Sequence, residues 1–129
     1  GLFSAQQPVY YDAAEAPQDE VIPALIHFAN ERLKAAETLL QQEITGPAVD
    51  LIVAALLAVA AVRANKVQVI SPEQASVWVY SEAIPKGLLD EKQAALIMRG
   101  IALQHADSVP VTLLEALIVE CREFVSSSI

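Results

Sequence analysis

The sequence predicts an all-α protein: a five-helix bundle around a buried central helix rich in Ala and Leu, with an extended N-terminal arm. The main observation is an apolar run from Leu51 to Val62 that no polar residue interrupts. A helix that is apolar around its whole circumference belongs inside a bundle or a membrane, and this run is shorter than the roughly 20 residues that cross a bilayer. Hydrophobic residues make up 54% of the chain and aromatic residues only 5%. A core built from Ala, Leu, Ile and Val favours helices, because Ala and Leu are the strongest helix formers.

The length of 129 residues is that of one domain. Residues 1–18 contain Pro8 and Pro17 and no sustained hydrophobic period, which indicates an extended arm before a single helical-bundle domain at 19–129. Large aromatic side chains supply much of the binding energy at interfaces, so the arm's candidate partner-binding residues are Phe3, Tyr10 and Tyr11. The alternative is that these side chains pack on the bundle of their own chain.

The first predicted helix covers residues 20–43, with Asp19 as its N-cap and Pro23 in its first turn. Apolar residues recur along it at alternating steps of four and three, which predicts one buried stripe. The residues of this stripe are Ile22, Ile26, Ala29, Leu33, Ala36 and Leu40, and Leu25 and Phe28 broaden it. His27 borders the stripe, and we interpret it as a partly buried structural histidine. Gly46 is expected to stop the helix in the left-handed conformation.

The second predicted helix, residues 48–66, holds the apolar run, and an extended connector follows it as far as Ile70. A capping box at Ser71 and Gln74 then predicts the start of the third helix. This helix should end before Pro85, because a residue that precedes proline avoids the α region. Trp78 is its expected core anchor.

A second capping box at Asp90 and Gln93 predicts a fourth helix over residues 91–106. This helix is apolar on two sides, which would suit contact with a second chain as well as with the central helix. One side carries Ala94, Ile97, Met98, Ile101 and His105, and the other carries Leu96, Gly100 and Leu103. The fifth helix should run from Pro110 to Val125 before a fraying tail. Its inward residues are Leu114, Leu117, Ile118, Cys121 and Phe124.

Charge and cysteine content limit the possible functions. Sixteen acidic against eight basic residues give a net charge of −8, which favours solubility and opposes non-specific binding to nucleic acid. The single cysteine, Cys121, excludes an internal disulfide framework and fits a reducing compartment, so we expect a cytoplasmic protein. The chain has no glycine-rich phosphate loop, Gly-x-Ser-x-Gly, Cys-x-x-Cys or His-Glu-x-x-His motif. We accordingly expect no metal, no cofactor and no membrane association.

One segment carries candidate chemistry. The run Met98-Arg99-Gly100-Ile101-Ala102-Leu103-Gln104-His105 resembles the Arg-polar-x4-His motif of HEPN ribonucleases, and the order of helices around it is similar in outline. The resemblance implies a dimer in which Arg99 and His105 of both subunits form one metal-independent RNA-cleaving site. Arg99 would stabilise phosphate charge and His105 would transfer a proton. Residue 100 is Gly, where the family usually has Asn, Asp or His.

The sequence thus predicts a non-catalytic helical module that binds a protein partner or associates with itself, as a homodimer, rather than an enzyme. The alternative is a HEPN-like dimeric ribonuclease of the toxin type, or its inactive relative. A third possibility, a carrier of apolar ligands, needs a cavity between the second, fourth and fifth helices.

Overall fold

The computed structural model describes residues 18–66 and 68–129. Over these ranges the chain forms five helices and no strand, which confirms the predicted all-α bundle. The helices are α1 (Gln18–Gln41), α2 (Gly46–Arg63), α3 (Pro72–Trp78), α4 (Glu91–Leu103) and α5 (Val111–Ser127). Phe3, Tyr10, Tyr11 and the rest of the predicted arm before Gln18 lie outside the described residues.

α2 is the centre of the fold, as the sequence predicts. Eleven of its residues are buried, and α1, α3, α4 and α5 all contact it. α2 has a mean hydropathy of 1.9 and is long enough to cross a membrane, but 61% of it is buried inside the protein. Burying one Leu, Ile or Val side chain contributes about 1.5 to 3 kcal/mol, so α2 is the largest single source of hydrophobic stabilisation.

α1 packs along α2, and its buried stripe differs at one end from the predicted one. Leu33 and the residues around it are buried as expected, but at the N-terminal end the stripe continues through Val21 and Leu25. Ile22 and Ile26 are only half-buried. The reason is tertiary, because Val21 and Leu25 form a small cluster with Ala61 near the end of α2.

The start of α1 also differs from the prediction. The helix already includes Gln18, so Asp19 is not its N-cap, and Pro23 lies in the second turn rather than the first. Proline in that position removes one backbone hydrogen bond.

Within residues 18–66 and 68–129, three left-handed residues end helical segments, and Gly46 is not one of them. Glu43 (φ 60°) ends α1, and the amides of Glu43 and Ile44 each donate to carbonyl oxygens of its last turn at 3.0 Å. Asn65 (φ 55°) and Gly87 (φ 71°) end later segments in the same conformation. Gly46 is the first residue of α2, so the prediction for it is wrong. Both hydrogen bonds at Glu43 are those of a Schellman motif, which fixes the conformation although the residue there is not glycine.

Both predicted capping boxes are confirmed. The Ser71 hydroxyl accepts from the Gln74 amide at 3.2 Å, and Gln74 Oε1 accepts from the Ser71 amide at 3.1 Å. Asp90 and Gln93 form the same reciprocal pair at 2.7 and 3.1 Å. These local signals determine where α3 and α4 begin.

α3 continues as a π-helical turn over Val79–Ala83, which the sequence did not predict. The Ile84 amide donates to the Val79 carbonyl oxygen, five residues back, at 3.1 Å. Trp78 is buried, as expected of the core anchor, while Val77 and Tyr80 are exposed.

α5 ends later than predicted, and a residue of α2 contacts its end. α5 continues beyond Val125 to Ser127, and Arg63 at the end of α2 reaches it. Arg63 Nε donates to Ser128 Oγ at 2.9 Å, and Arg63 Nη2 donates to Ser127 Oγ at 3.3 Å. The predicted end of the helix at Val125 is therefore two residues too early, and a side chain distant in sequence binds the tail that follows.

Replacing Glu43 with glycine should stabilise the protein, because a side chain in the left-handed region costs about 1 kcal/mol that glycine avoids. We expect the free energy of unfolding to rise by about 0.5 to 1 kcal/mol, measured by urea denaturation with far-UV circular dichroism. Glu31→Gly, inside α1, is the control and should lower it by about 1 kcal/mol. A decrease in both variants would contradict the prediction.

Gly100 lies where α4 passes closest to α2. A Cβ atom there would come 2.7 Å from Leu56 Cδ1 and 3.5 Å from Val53 Cγ2. Leu56 is 1% exposed, so its side chain has little room to move. The missing side chain of Gly100 therefore permits the close approach of the two helices.

Gly100→Ala should lower the free energy of unfolding by about 1 kcal/mol, because overpacking against Leu56 outweighs a helix-propensity gain of about 1 kcal/mol. In a Leu56→Ala background the obstructing atom is gone, so the same substitution should raise the free energy by about 1 kcal/mol. A urea-denaturation double-mutant cycle measures both. The same sign in both backgrounds would show that the contact does not matter.

Candidate functional site

The two residues of the predicted Arg-His motif lie in different local structures. Arg99 is on α4, but α4 ends at Leu103 and His105 lies in the turn that follows. The prediction that His105 shares a face of this helix with Ile97 and Ile101 is therefore wrong. Its backbone amide donates to the Ala102 carbonyl oxygen at 3.1 Å, and the residue is exposed.

Arg99 forms an ion pair with α5. Its Nη2 atom donates to Glu120 Oε1 at 2.8 Å, and the side chains are 52% and 31% exposed respectively. An ion pair this exposed adds little to stability, of the order of 0 to 1 kcal/mol. Its structural effect is to bridge the outer edges of α4 and α5.

A surface furrow lies between α4 and α5, on both sides of this ion pair. α4 and α5 contact each other much less than α1 and α2 do. On one side of the ion pair the furrow encloses about 280 Å³ and is mainly apolar. Its lining residues are Arg99, Ala102, Leu103, Leu113, Ala116, Leu117 and Glu120. We call this part the apolar half of the furrow.

The small residues of the apolar half explain why it is open. Ala102 and Ala116 are exposed, and Leu103 is half-buried. Leu113 is 45% exposed. Alanine side chains on facing helices are too short to fill the space between them, so apolar surface remains accessible to solvent.

On the other side of the ion pair the furrow encloses about 200 Å³, and its rim is charged. Asp90, Glu120 and Glu123 supply three carboxylates there, and Lys92 supplies one cation. We call this part the acidic half. Asp90 also caps α4 through its bond to the Gln93 amide.

Cys121 is next to Glu120 in the chain but faces the core. It is a free cysteine and is 1% exposed, which confirms the prediction of a small core residue. Burial raises the pKa of its thiol from the ordinary value of 9.0 to about 12, and the negative charge of Glu120 adds to this effect. The thiol is therefore protonated at neutral pH and is a poor nucleophile.

His27 does not occupy the partly buried position that we predicted. Its side chain is 76% exposed, and its Nε2 atom lies 3.7 Å from Glu31 Oε1 on the same helix. His27 lies outside the buried stripe of α1, because Val21 and Leu25 are the residues that face α2. Among residues 18–66 and 68–129, no group of three or more His, Cys, Asp or Glu side chains could hold a metal ion.

A second exposed apolar surface lies on α3 and the π-helical turn. It includes Val77 and Tyr80, which are 68% and 62% exposed. The adjoining groove, about 500 Å³, is more open than the furrow, and Val77 and Trp78 are among its lining residues.

Comparisons with protein-family models, with curated proteins and with solved structures found no match.

The sequence does not predict the furrow, although two apolar residues of α5 outside its buried stripe are consistent with an exposed apolar surface. Leu113 and Val119 lie outside the buried stripe of α5, which Leu114, Leu117 and Ile118 define. An apolar residue off the buried stripe is ordinary by itself. Only the packing of α4 beside α5 puts Leu113 in a concave surface.

The Cys121 thiol should react with a maleimide at pH 8 orders of magnitude more slowly in the folded protein than in urea, because the thiolate is the nucleophile. Since its folded pKa of about 12 exceeds the ordinary value of 9.0, the unfolded chain loses this proton first as pH rises. The contribution of this thiol to stability is thus complete below pH 9 and is lost between pH 9 and 12. Cys121→Ala is the control and should lack this part of the pH dependence. Equally fast labelling of folded and unfolded protein would contradict the assignment.

Proposed function

We propose that this protein is a non-catalytic helical module that binds a protein partner, or assembles with itself, through the furrow between α4 and α5. The observation that carries the proposal is the apolar half of the furrow, with Leu113 partly exposed beside Ala102 and Ala116. Covering a concave apolar surface with a partner side chain removes it from water, which favours binding by about 25 cal/mol per Å².

The polar groups of the furrow support binding rather than catalysis. Arg99 and Glu120 are joined in an ion pair, and the thiol of Cys121 faces the core. Charged groups at the edge of an apolar surface direct and orient a partner. Because Cys121 is a free thiol, we further propose that the module acts in the cytoplasm, where thiols stay reduced.

The second proposal is a HEPN-like dimeric ribonuclease. The observation that favours it is access, because the Arg99 side chain is 52% exposed and His105 is exposed. Both could meet RNA if a second chain supplied the other half of the site. RNA cleavage by the protein, lost in Arg99→Ala and in His105→Ala, would support this proposal, and equal background cleavage by all three proteins would exclude it.

The binding proposal can be tested with an uncharged probe. This probe is a helical peptide of about five turns, with Leu at positions i, i+3, i+4 and i+7 and Gln elsewhere, labelled for fluorescence anisotropy. Leu113→Asn should weaken binding about tenfold, because it replaces the largest exposed apolar group of the furrow. Val77→Asn is the matched control on the other exposed apolar surface. The affinity of this variant for the peptide should differ from that of the unmodified protein by less than about twofold.

Sedimentation of the protein alone tests the self-assembly form of the same proposal. A concentration-dependent dimer that Leu113→Asn weakens and Val77→Asn does not would support it. A strict monomer that also fails to bind the peptide would show that the furrow is not a binding surface. Circular dichroism of each variant verifies that the fold is retained.

A further inference from the structure

The two halves of the furrow differ in chemistry, and this difference restricts what can bind. The apolar half is bounded by the Arg99–Glu120 ion pair, whose opposite charges compensate each other. The acidic half continues past the same ion pair toward the N-terminus of α4 and the C-terminus of α5. From Leu113 to Glu123 the furrow extends about 15 Å along α5, at 1.5 Å per residue.

The acidic half has an excess of negative charge. Arg99 compensates Glu120, which leaves Asp90 and Glu123 against the single cation Lys92. Asp90 is engaged as the cap of α4, where its carboxylate accepts from the Gln93 amide. Among the described residues Glu123 forms no ion pair, and it is exposed at the edge of the furrow. A cation that arrives here would find a carboxylate free to pair with it.

We propose that the furrow binds an amphipathic helix of another protein, with apolar side chains on the Leu113 half and Lys or Arg on the Glu123 half. This inference rests on the proposed binding function and specifies the partner. Apolar contact supplies affinity, as in other complexes where a helix lies in a groove. The carboxylates select the charge and the orientation of the bound helix, since complementary charges fix register more than they add affinity.

A second copy of this chain fits the furrow less well than a basic partner does. Each chain carries a net charge of −8, so two copies that pair repel each other electrostatically. If two furrows faced each other, Glu123 and Asp90 would lie against either the apolar half or the acidic half of the other copy. The first arrangement buries carboxylates without a cation, and the second offers only one cation per copy, Lys92, to the two carboxylates Asp90 and Glu123. Burying an uncompensated carboxylate is costly.

Three peptides of about five turns test the inference. All share the Leu stripe of the uncharged probe, and in one half of each the flanking positions are Lys, Gln or Glu. We expect the Lys peptide to bind about fivefold more tightly than the Gln peptide, and the Glu peptide most weakly, by fluorescence anisotropy. Added NaCl should reduce the advantage of the Lys peptide, because salt screens exposed charges. A peptide with the same Lys content but a scrambled Leu stripe should bind at least tenfold more weakly, about 1.4 kcal/mol.

Charge-reversal variants locate the effect. Glu123→Lys should weaken binding of the Lys peptide about fivefold and leave binding of the Gln peptide nearly unchanged. Glu31→Lys on α1 makes the same change in net charge away from the furrow, so it should alter either affinity less than about twofold. Glu123→Gln should have an intermediate effect.

The outcomes separate this inference from the function on which it rests. Equal binding of the Lys and Gln peptides, or equal effects of Glu123→Lys and Glu31→Lys, would overturn the basic-partner inference and leave the furrow as a binding surface. Failure of every peptide to bind a protein that sediments as a monomer would overturn both. A dimer in sedimentation that Leu113→Asn abolishes, with no peptide binding by the dimer, would show that a second copy is the occupant.

Discussion

The burial of most of α2 is the constraint on which the other features depend. A helix with almost no polar residue along its length has no face that water can solvate, so each neighbouring helix must give one face to it. Because Ala alternates with Leu, Val and Ile along α2, neighbours can approach closely, and Gly100 of α4 comes within contact of Leu56. The other four helices accordingly all contact α2.

The furrow is a consequence of the same constraint. α4 and α5 both pack on α2, and two helices that pack on a third need not fill the space between their own outer edges. Larger residues than Ala102 and Ala116 would have closed that space. The Arg99–Glu120 pair crosses it instead. Core packing thus leaves open the surface that we propose for binding. The chemistry of this surface depends on residues that are not part of the core.

The sequence predicted parts of this site and not others, for physical reasons. Arg99 was identified from its spacing to His105, but its actual partner, Glu120, lies on a different helix that no local pattern connects to it. The sequence predicts His105 on α4, because the spacing of the residues on that face continues past Leu103. Periodicity does not show where a helix ends when no glycine or proline follows directly. The prediction for His27 is wrong for a related reason. The burial of a residue at the edge of an apolar stripe depends on where the neighbouring helix packs.

By itself the sequence determined the all-α class, the burial of most of the Leu51–Val62 run and the starts of α3 and α4. These features depend on hydrophobicity, helix propensity and capping groups that act within a few residues of each other. Only the tertiary structure decided which residues of α1 face α2 at its N-terminal end, and that Arg63 holds Ser127 and Ser128. It also decided that Glu43 rather than Gly46 adopts the left-handed turn, and that Leu113 lines a furrow. Such features depend on contacts between helices distant in the chain, whose relative positions no local pattern contains.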